Sequence, residues 1–244
     1  MIKLTHPERR LRDFLVAAAN SWPRKPDQSE PLIVRFAGGW VRDKILSQDS
    51  CDIDVALNIA TGTQFATHIE SFLQKDPSYE TSKFHFKTIN RNVEQSKHLE
   101  TATADFLNLK LDFVNLRSEE YTESSRIPEK MKFGTPKEDA ERRDLTINSL
   151  FYNLHDEVVE DWTGQGVNDI KDGIIRTPLE PMETFMDDPL RVLRAVRFAA
   201  RLDFKILPDL KVAIMDARVK VTKVPLRCTN VASFKEQCHH STES

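Results

Sequence analysis

The segment Phe36-Ala37-Gly38-Gly39-Trp40-Val41-Arg42-Asp43, followed shortly by Asp52-Ile53-Asp54, constrains this chain more than any other, because it joins a candidate phosphate cradle to a candidate metal site. Upstream, Leu32-Ile33-Val34-Arg35-Phe36 is apolar and β-branched and reads as a strand running into the two glycines. Gly38 and Gly39 can take backbone angles closed to other residues and let a phosphate approach the main chain. Val41-Arg42-Asp43-Lys44-Ile45-Leu46 then predicts the first turns of a helix, whose free N–H groups and positive dipole end favour a triphosphate. Arg42 adds a charged fork.

Asp52 and Asp54 stand two apart on what reads as the next strand, so their side chains share one face. Two neighbouring carboxylates repel each other, a cost normally offset by a divalent cation such as Mg²⁺. Alone, such a pair is more often a turn with surface acids. In tandem with the glycine turn, each feature supplies what the other's chemistry needs, and both aspartates become candidate catalytic residues and metal ligands.

A chain of 244 residues can bury a real core, as one large domain or two small ones. With 35 Lys and Arg against 38 Asp and Glu, the net charge of -3 gives no global electrostatic case for nucleic-acid binding, so any such surface must be local. Cys51, Cys228 and Cys238 show neither metal-ligand spacing nor a disulfide framework, which points to a reducing compartment. No apolar run approaches transmembrane length, so no membrane partner is expected. Glu8 and Asp13, set among Arg9, Arg10 and Arg12, speak for a plain first helix rather than a targeting segment.

Helical spacing covers 5–20, with Thr5 as cap, and again 63–73; the proline-rich stretch 21–31 reads as a loop. Alternating residues predict strands at 84–89 and 109–116, with the polar stretch 90–104 as a loop between them. Residues 118–137 are charged, carry Pro128, Gly134 and Pro136, and read as a mobile loop. From about residue 140 the chain is expected to be helical. The pattern is a small mixed sheet with flanking helices, an α+β or α/β catalytic domain.

Three further constellations carry chemistry. Asp112 points away from Leu111 and Phe113, and either joins Asp52 and Asp54 as a third carboxylate, for metal or for the proton of an attacking hydroxyl, or sits on a solvated face. In Arg142-Arg143-Asp144-Leu145-Thr146-Ile147-Asn148 the arginines could grip phosphate and Asp144 could accept from a ribose hydroxyl, or Asp144 could cap a helix. After Asp187-Asp188-Pro189, Arg191, Arg194, Arg197 and Arg201 fall within an arc of roughly 120° opposite Val192, Ala195, Val196 and Ala199. Such a stripe is usually a solvated face, but an all-arginine row suits forked recognition of phosphates or base edges. Asp188 can accept from an exocyclic amino group while Arg191 donates to a ring nitrogen, a pair that takes cytosine and adenine and rejects uracil and guanine.

These residues resemble the class II tRNA nucleotidyltransferases, the CCA-adding enzymes, and their relatives the bacterial-type poly(A) polymerases. Gly38-Gly39-Trp40-Val41-Arg42-Asp43 with Asp52-Ile53-Asp54 is similar to the family's metal-binding turn, in a polymerase-β-like nucleotidyltransferase fold. Arg142 through Asn148 resembles its ribose-recognition motif, Asp161-Trp162-Thr163-Gly164 through Gly173 a motif tied to domain movement, and Asp187-Asp188-Pro189-Leu190-Arg191 the template that reads the base. Residues 118–135 resemble the family's flexible loop. The likeness spans about residues 34–204, is closest to eukaryotic members, and departs at Asp187, where the family usually has Glu.

The resemblance implies a nucleotidyltransferase head at 31–150 after an N-terminal helix and loop at 1–30. A helical, neck-like nucleotide-recognition segment is expected at 151–223. A divergent, disordered tail is expected at 224–244, which makes this a C-terminally shortened member. It implies Mg²⁺ on Asp52 and Asp54, Asp112 as third catalytic carboxylate, and nucleotide binding by Gly38, Gly39, Arg42, Arg143, Asp144, Asn148, Asp188, Arg191, Arg194 and Arg197. The implied substrates are CTP and ATP, added as CCA to a tRNA 3′ end, in cytoplasm, nucleus or mitochondrion. Poly(A) addition, addition of CC or A only, and a non-catalytic nucleotide-binding module are the alternatives.

Overall fold

The computed structural model describes residues 2–24, 30–75, 84–88, 102–122 and 125–219, of which 84–88, 119–122 and 125–132 are described by their main chain. The tail expected at 224–244, and most of the loop expected at 90–104, lie outside the described residues.

Helix α1 (His6–Asn20) begins at Thr5, whose hydroxyl accepts from the Glu8 amide while the Glu8 carboxylate reaches back to the Thr5 amide. The same carboxylate receives Trp40 Nε1 at 3.0 Å and Lys44 Nζ at 2.9 Å. One capping residue thus pins α1 to α2 (Gly39–Ile45), the short helix that follows β1 (Val34–Ala37). Strand β2 (Asp52–Leu57) leads into α3 (Gly62–Lys75), whose residues Phe65, Ile69 and Leu73 are buried.

Strands β3 (Phe84–Thr88), β4 (Ala102–Phe106) and β5 (Leu109–Asn115) complete one side of the main sheet. On its other side stand β8 (Phe151–Asn153) and β9 (Val158–Glu160), reached after a separate pair, β6 (Arg117–Thr122) with β7 (Ser125–Phe133), and helix α4 (Pro136–Glu141). The seven strands run in the order β3-β4-β5-β2-β1-β8-β9. Only β2 and β5 pair in parallel, which makes the sheet mixed.

Alternation gives the sheet two different faces. Ile53, Val55, Leu57, Leu111 and Phe113 join Leu11, Phe14, Phe65 and Ile69 in one core, so α1 and α3 cover that face. The opposite face carries Asp52, Asp54 and Asp112 and a small second cluster of Ala37, Ala56, Leu116, Ala140 and Phe151. Beyond β9 come α5 (Gly166–Asp172), β10 (Ile174–Ile175), α6 (Pro181–Asp187), α7 (Leu190–Leu202), β11 (Lys205–Ile206) and α8 (Pro208–Met215). Their buried residues Ile170, Ile175, Phe185, Val192, Ala195 and Leu210 belong to the same core as the first face. Among the described residues no helix is long and apolar enough to cross a membrane.

Three sequence expectations change. Residues 118–122 and 125–133, read as loop from composition, belong to an antiparallel pair of strands in a sheet separate from the main one. A two-stranded ladder pairs its inward backbone groups, leaves the outer ones to water and demands no apolar face, so polarity did not exclude it. Ala102, Thr103 and Ala104, placed in the loop 90–104, open β4. The helical run expected from 140 is interrupted by β8 and β9, three-residue strands that extend the sheet past residue 150. Phe151, Tyr152 and Asn153 are all buried, so β8 has no alternation for a periodicity argument to detect.

Candidate active site

The parallel register sets Asp54 directly opposite Asp112, and the antiparallel one sets Asp54 opposite Ala37. Followed outwards, the row continues from Ala37 to Phe151 and from Phe151 to Glu160. Paired residues share a face, so Asp112, Asp54, Ala37, Phe151 and Glu160 lie side by side across the sheet, with Asp52 one step along β2. Asp52, Asp54 and Asp112 therefore come together as the sequence suggested, and the small Ala37 leaves space beside them. Lost hydration pushes the Asp54 carboxyl up; Arg143 opposes this, while Asp112, Asp139 and Asp52 add to it. Asp112 is pushed up by burial and by the charge of Asp52.

The glycine turn closes on this group. Gly38 has φ 65 and ψ -123, a conformation for which glycine is needed, whereas Gly39 is already the first helical residue. The expectation that both glycines take special angles therefore holds for Gly38 alone. A Cβ at Gly38 would stand 2.9 Å from Arg143 Nη1 and 3.8 Å from Asp54 Oδ2, so backbone, cation and carboxylate meet at one point. No side chain caps the start of α2.

Arg42 reaches the same place, but its fork is turned inward. It is 3% exposed, Nε donates to Asp43 at 2.8 Å, and Nη1 donates to Asn148 Oδ1. The charged fork expected for phosphate is spent on holding α2 to the segment 142–148, because a buried guanidinium must satisfy its donors locally. Arg143 is better placed: it stacks on Phe151 at 5.0 Å, donates to the Asn148 carbonyl at 3.2 Å and pairs with Asp139 at 2.9 Å. Asp139, 1% exposed, also takes Arg142. Burial alone would raise the Asp139 carboxyl, yet Arg143 and Arg142 outweigh it and hold the group below the usual range.

Sequence reading did not single out Asp139, although its i+3 and i+4 spacing to Arg142 and Arg143 at the end of α4 is the available signal. Nor did it single out Phe198, an apolar residue of an amphipathic helix with no signal of its own.

Asp144 does not stand free for a ribose. One oxygen accepts from the Leu145 amide at 2.9 Å and Asn148 Nδ2 at 3.2 Å; the other takes Arg194 Nε at 2.6 Å. This last bond brings α7 onto the segment 142–148. Arg191 Nη2 also donates to the Arg142 carbonyl at 2.7 Å, and Asp188 accepts from the Leu190 amide at 3.0 Å, just before α7. Arg197 stands exposed on the same helix. The residues named from the sequence thus converge on one region, although Arg42, Asp144, Arg191 and Arg194 are engaged within it.

Residues 34–176 match the family described as Poly A polymerase head domain. The chain is 50% identical over 212 residues to the mitochondrial CCA tRNA nucleotidyltransferase of Saccharomyces cerevisiae, covering 86% of this chain and 38% of that protein. It therefore spans about two-fifths of that relative's length. Among solved structures, an apo CCA-adding enzyme aligns with a TM-score of 0.68 at 26% identity, over 86% of this chain and 44% of that one. A tRNA nucleotidyltransferase complexed with a primer tRNA and an incoming ATP analog aligns with a TM-score of 0.57 at 28% identity, over 75% and 46%. With an α+β fold, the carboxylate row and the glycine turn in place, the family match over 34–176 shows that the chain belongs to the poly(A) polymerase head-domain family, the group of the class II CCA-adding enzymes.

Proposed function

We propose that this chain is the nucleotide-adding part of a CCA-adding enzyme, joining CMP and AMP units from CTP and ATP to a tRNA 3′ end. The observation that carries the reading is the convergence of Asp52, Asp54 and Asp112 on one sheet face beside the Gly38 turn. The named relatives act on tRNA, and the solved complex with primer tRNA and an ATP analog supports the same pair of partners here. The relative's mitochondrial name supports that compartment as one location.

Enzymes of this family generally use divalent metals. Among the described residues no group of three or more His, Cys, Asp or Glu forms a ready-made metal cage. Mg²⁺ is commonly held by one or two carboxylates with substrate phosphates completing its shell, and the repelling pair Asp52 and Asp54 fits that role. Asp52 and Asp54 would hold two Mg²⁺ ions, one to lower the pKa of the primer's terminal hydroxyl and one to neutralise the leaving pyrophosphate. Asp112 is the third carboxylate, assigned to take the proton that hydroxyl loses as its oxygen attacks the α-phosphorus. Arg143 and the main chain at Gly38 and Gly39 face the triphosphate. Arg42, Asp144 and Asn148 hold that site in shape from behind, and Asp188 and Arg191 read the base. Arg194 and Arg197 extend the cationic surface. The head expected at 31–150 is extended in this reading through β9, whose strand joins the main sheet, and the nucleotide-recognition segment follows it.

Incorporation of labelled CTP and ATP into tRNA lacking its 3′ end tests this. Asp54→Ala should abolish incorporation, and wild-type activity in that variant refutes the metal assignment. Sizing the products made with CTP, ATP or both separates CCA addition from poly(A), CC-only and A-only addition. CTP binding without extension of any primer would mark a non-catalytic binding module.

A further inference from the structure

Phe198 on α7 is buried, and three guanidinium groups gather at its ring. Arg42, from α2, lies 4.7 Å from the ring centroid; Arg197 and Arg194, from α7 itself, lie at 5.1 Å and 5.8 Å. Three like charges around one point repel each other unless something offsets them. Asp43 does so for Arg42 at 2.6 Å, and Asp144 for Arg194 at 2.6 Å. Arg197 has no carboxylate or hydrogen-bond partner among the described residues, so the electron-rich ring face is what holds it. Its donors remain unspent.

The contacts close a circuit. Arg42 donates to Asn148, Asn148 donates to Asp144 at 3.2 Å, Arg194 donates to Asp144, and Arg194 and Arg42 meet again on Phe198. The circuit joins α2, which starts at the Gly38 turn, to α7, which starts beside Asp188 and Arg191. Without the ring it is open on one side, and α7 leans on α2 only through the segment 142–148, which Arg194 and Arg191 hold.

We propose that Phe198 is a positioning residue for base selection. By stacking Arg42 and Arg197 together, it fixes the pitch of α7 against the phosphate end of the site, and so the placement of Asp188 and Arg191 opposite the incoming base. This rests on the reading of the site as one that takes CTP and ATP. A leucine would fill much of the same space but offers no ring face to a cation, so the apolar packing of α7 survives while the circuit opens.

The test is equilibrium binding of CTP, ATP and UTP to the whole chain, wild type against Phe198→Leu and Phe198→Tyr. The preference for CTP over UTP should fall about threefold to thirtyfold in Phe198→Leu, the range expected from losing one guanidinium's attraction to a ring. Phe198→Tyr, which keeps the ring, should restore it. Partial unfolding lowers apparent affinity for every nucleotide alike and leaves the ratio untouched, so a merely structural role does not move this readout. If Phe198→Leu does not fold, Phe198→Met serves in its place. A wild-type ratio in the ring-less variant, or a tyrosine variant that behaves like leucine, overturns the inference and leaves the site reading standing. A wild type with no preference for CTP and ATP over UTP overturns both.

Discussion

Adding one methyl group at each of two adjacent glycines should have opposite consequences. Gly38 has φ 65 and ψ -123, and an L side chain forced there costs on the order of 1–3 kcal/mol of backbone strain. The new Cβ would also meet Arg143 Nη1 at 2.9 Å and the Asn148 carbonyl at 3.4 Å. The guanidinium has to retreat from its stack on Phe151 at 5.0 Å, giving up about 1 kcal/mol more. Gly38→Ala should therefore lose roughly 2–4 kcal/mol. At Gly39 the φ is ordinary, and the nearest atom to a new Cβ is Arg42 Nη2 at 3.5 Å, a normal contact. Alanine is preferred over glycine inside a helix by up to about 1 kcal/mol, so Gly39→Ala should be neutral or slightly stabilising. Urea unfolding separates the two: with a slope of about 2 kcal/mol per molar, the Gly38→Ala midpoint falls by roughly 1–2 M while that of Gly39→Ala holds. Equal midpoints for the two variants would refute the assignment of the special backbone angle to Gly38.

Two other perturbations follow from ionisable groups beyond the carboxylate row. Asp139→Asn leaves Arg142 and Arg143 without their counter-ion in a position 1% exposed and should cost about 3 kcal/mol; a loss under about 1 kcal/mol in the same urea assay counts against it. His155 Nε2 accepts from the Val34 amide at 3.3 Å; burial lowers its pKa, with Asp156 opposing and Arg35 and Arg12 assisting. A histidine whose folded pKa is depressed stabilises fully above its unfolded value near 6.5 and loses that contribution as pH falls below it. The urea midpoint should drop between pH 7.5 and 5.5 less steeply in His155→Gln than in the wild type, and parallel slopes would rule out the buried neutral imidazole.

Local patterns were legible wherever one period governs one element. Thr5 as a helix cap, the strand into Gly38, and a shared face for Asp52 and Asp54 each follow from spacings of a few residues. The partner of Asp54 was a different matter. Alternation says that Asp112 is opposite in orientation to Leu111 and Phe113, but the parallel pairing of β2 with β5 joins strands separated by a helix and two further strands. Nothing within either strand specifies that neighbour. The same limit explains β8 and β9, whose three residues are too few for a period to repeat.

Charge was harder to read than polarity. From the sequence Arg42, Arg194 and Arg197 look alike, cations on helices near a phosphate cradle. In the fold Arg42 is 3% exposed and bound to Asp43 and Asn148, Arg194 is bound to Asp144, and Arg197 keeps its donors open. Asp43 is Arg42's own neighbour on α2; what sorts them otherwise is which acids and amides come within reach from other elements, and Asp144 and Asn148 do so only once α2, α7 and the segment 142–148 have packed. A cationic site of this type therefore contains two populations that composition cannot distinguish. Arginines bound to acids and amides of other elements set how helices pack, and those with open donors remain available to a ligand. Removing a member of the first population should alter selectivity and stability together, whereas removing one of the second should weaken binding of every nucleotide and leave the fold intact.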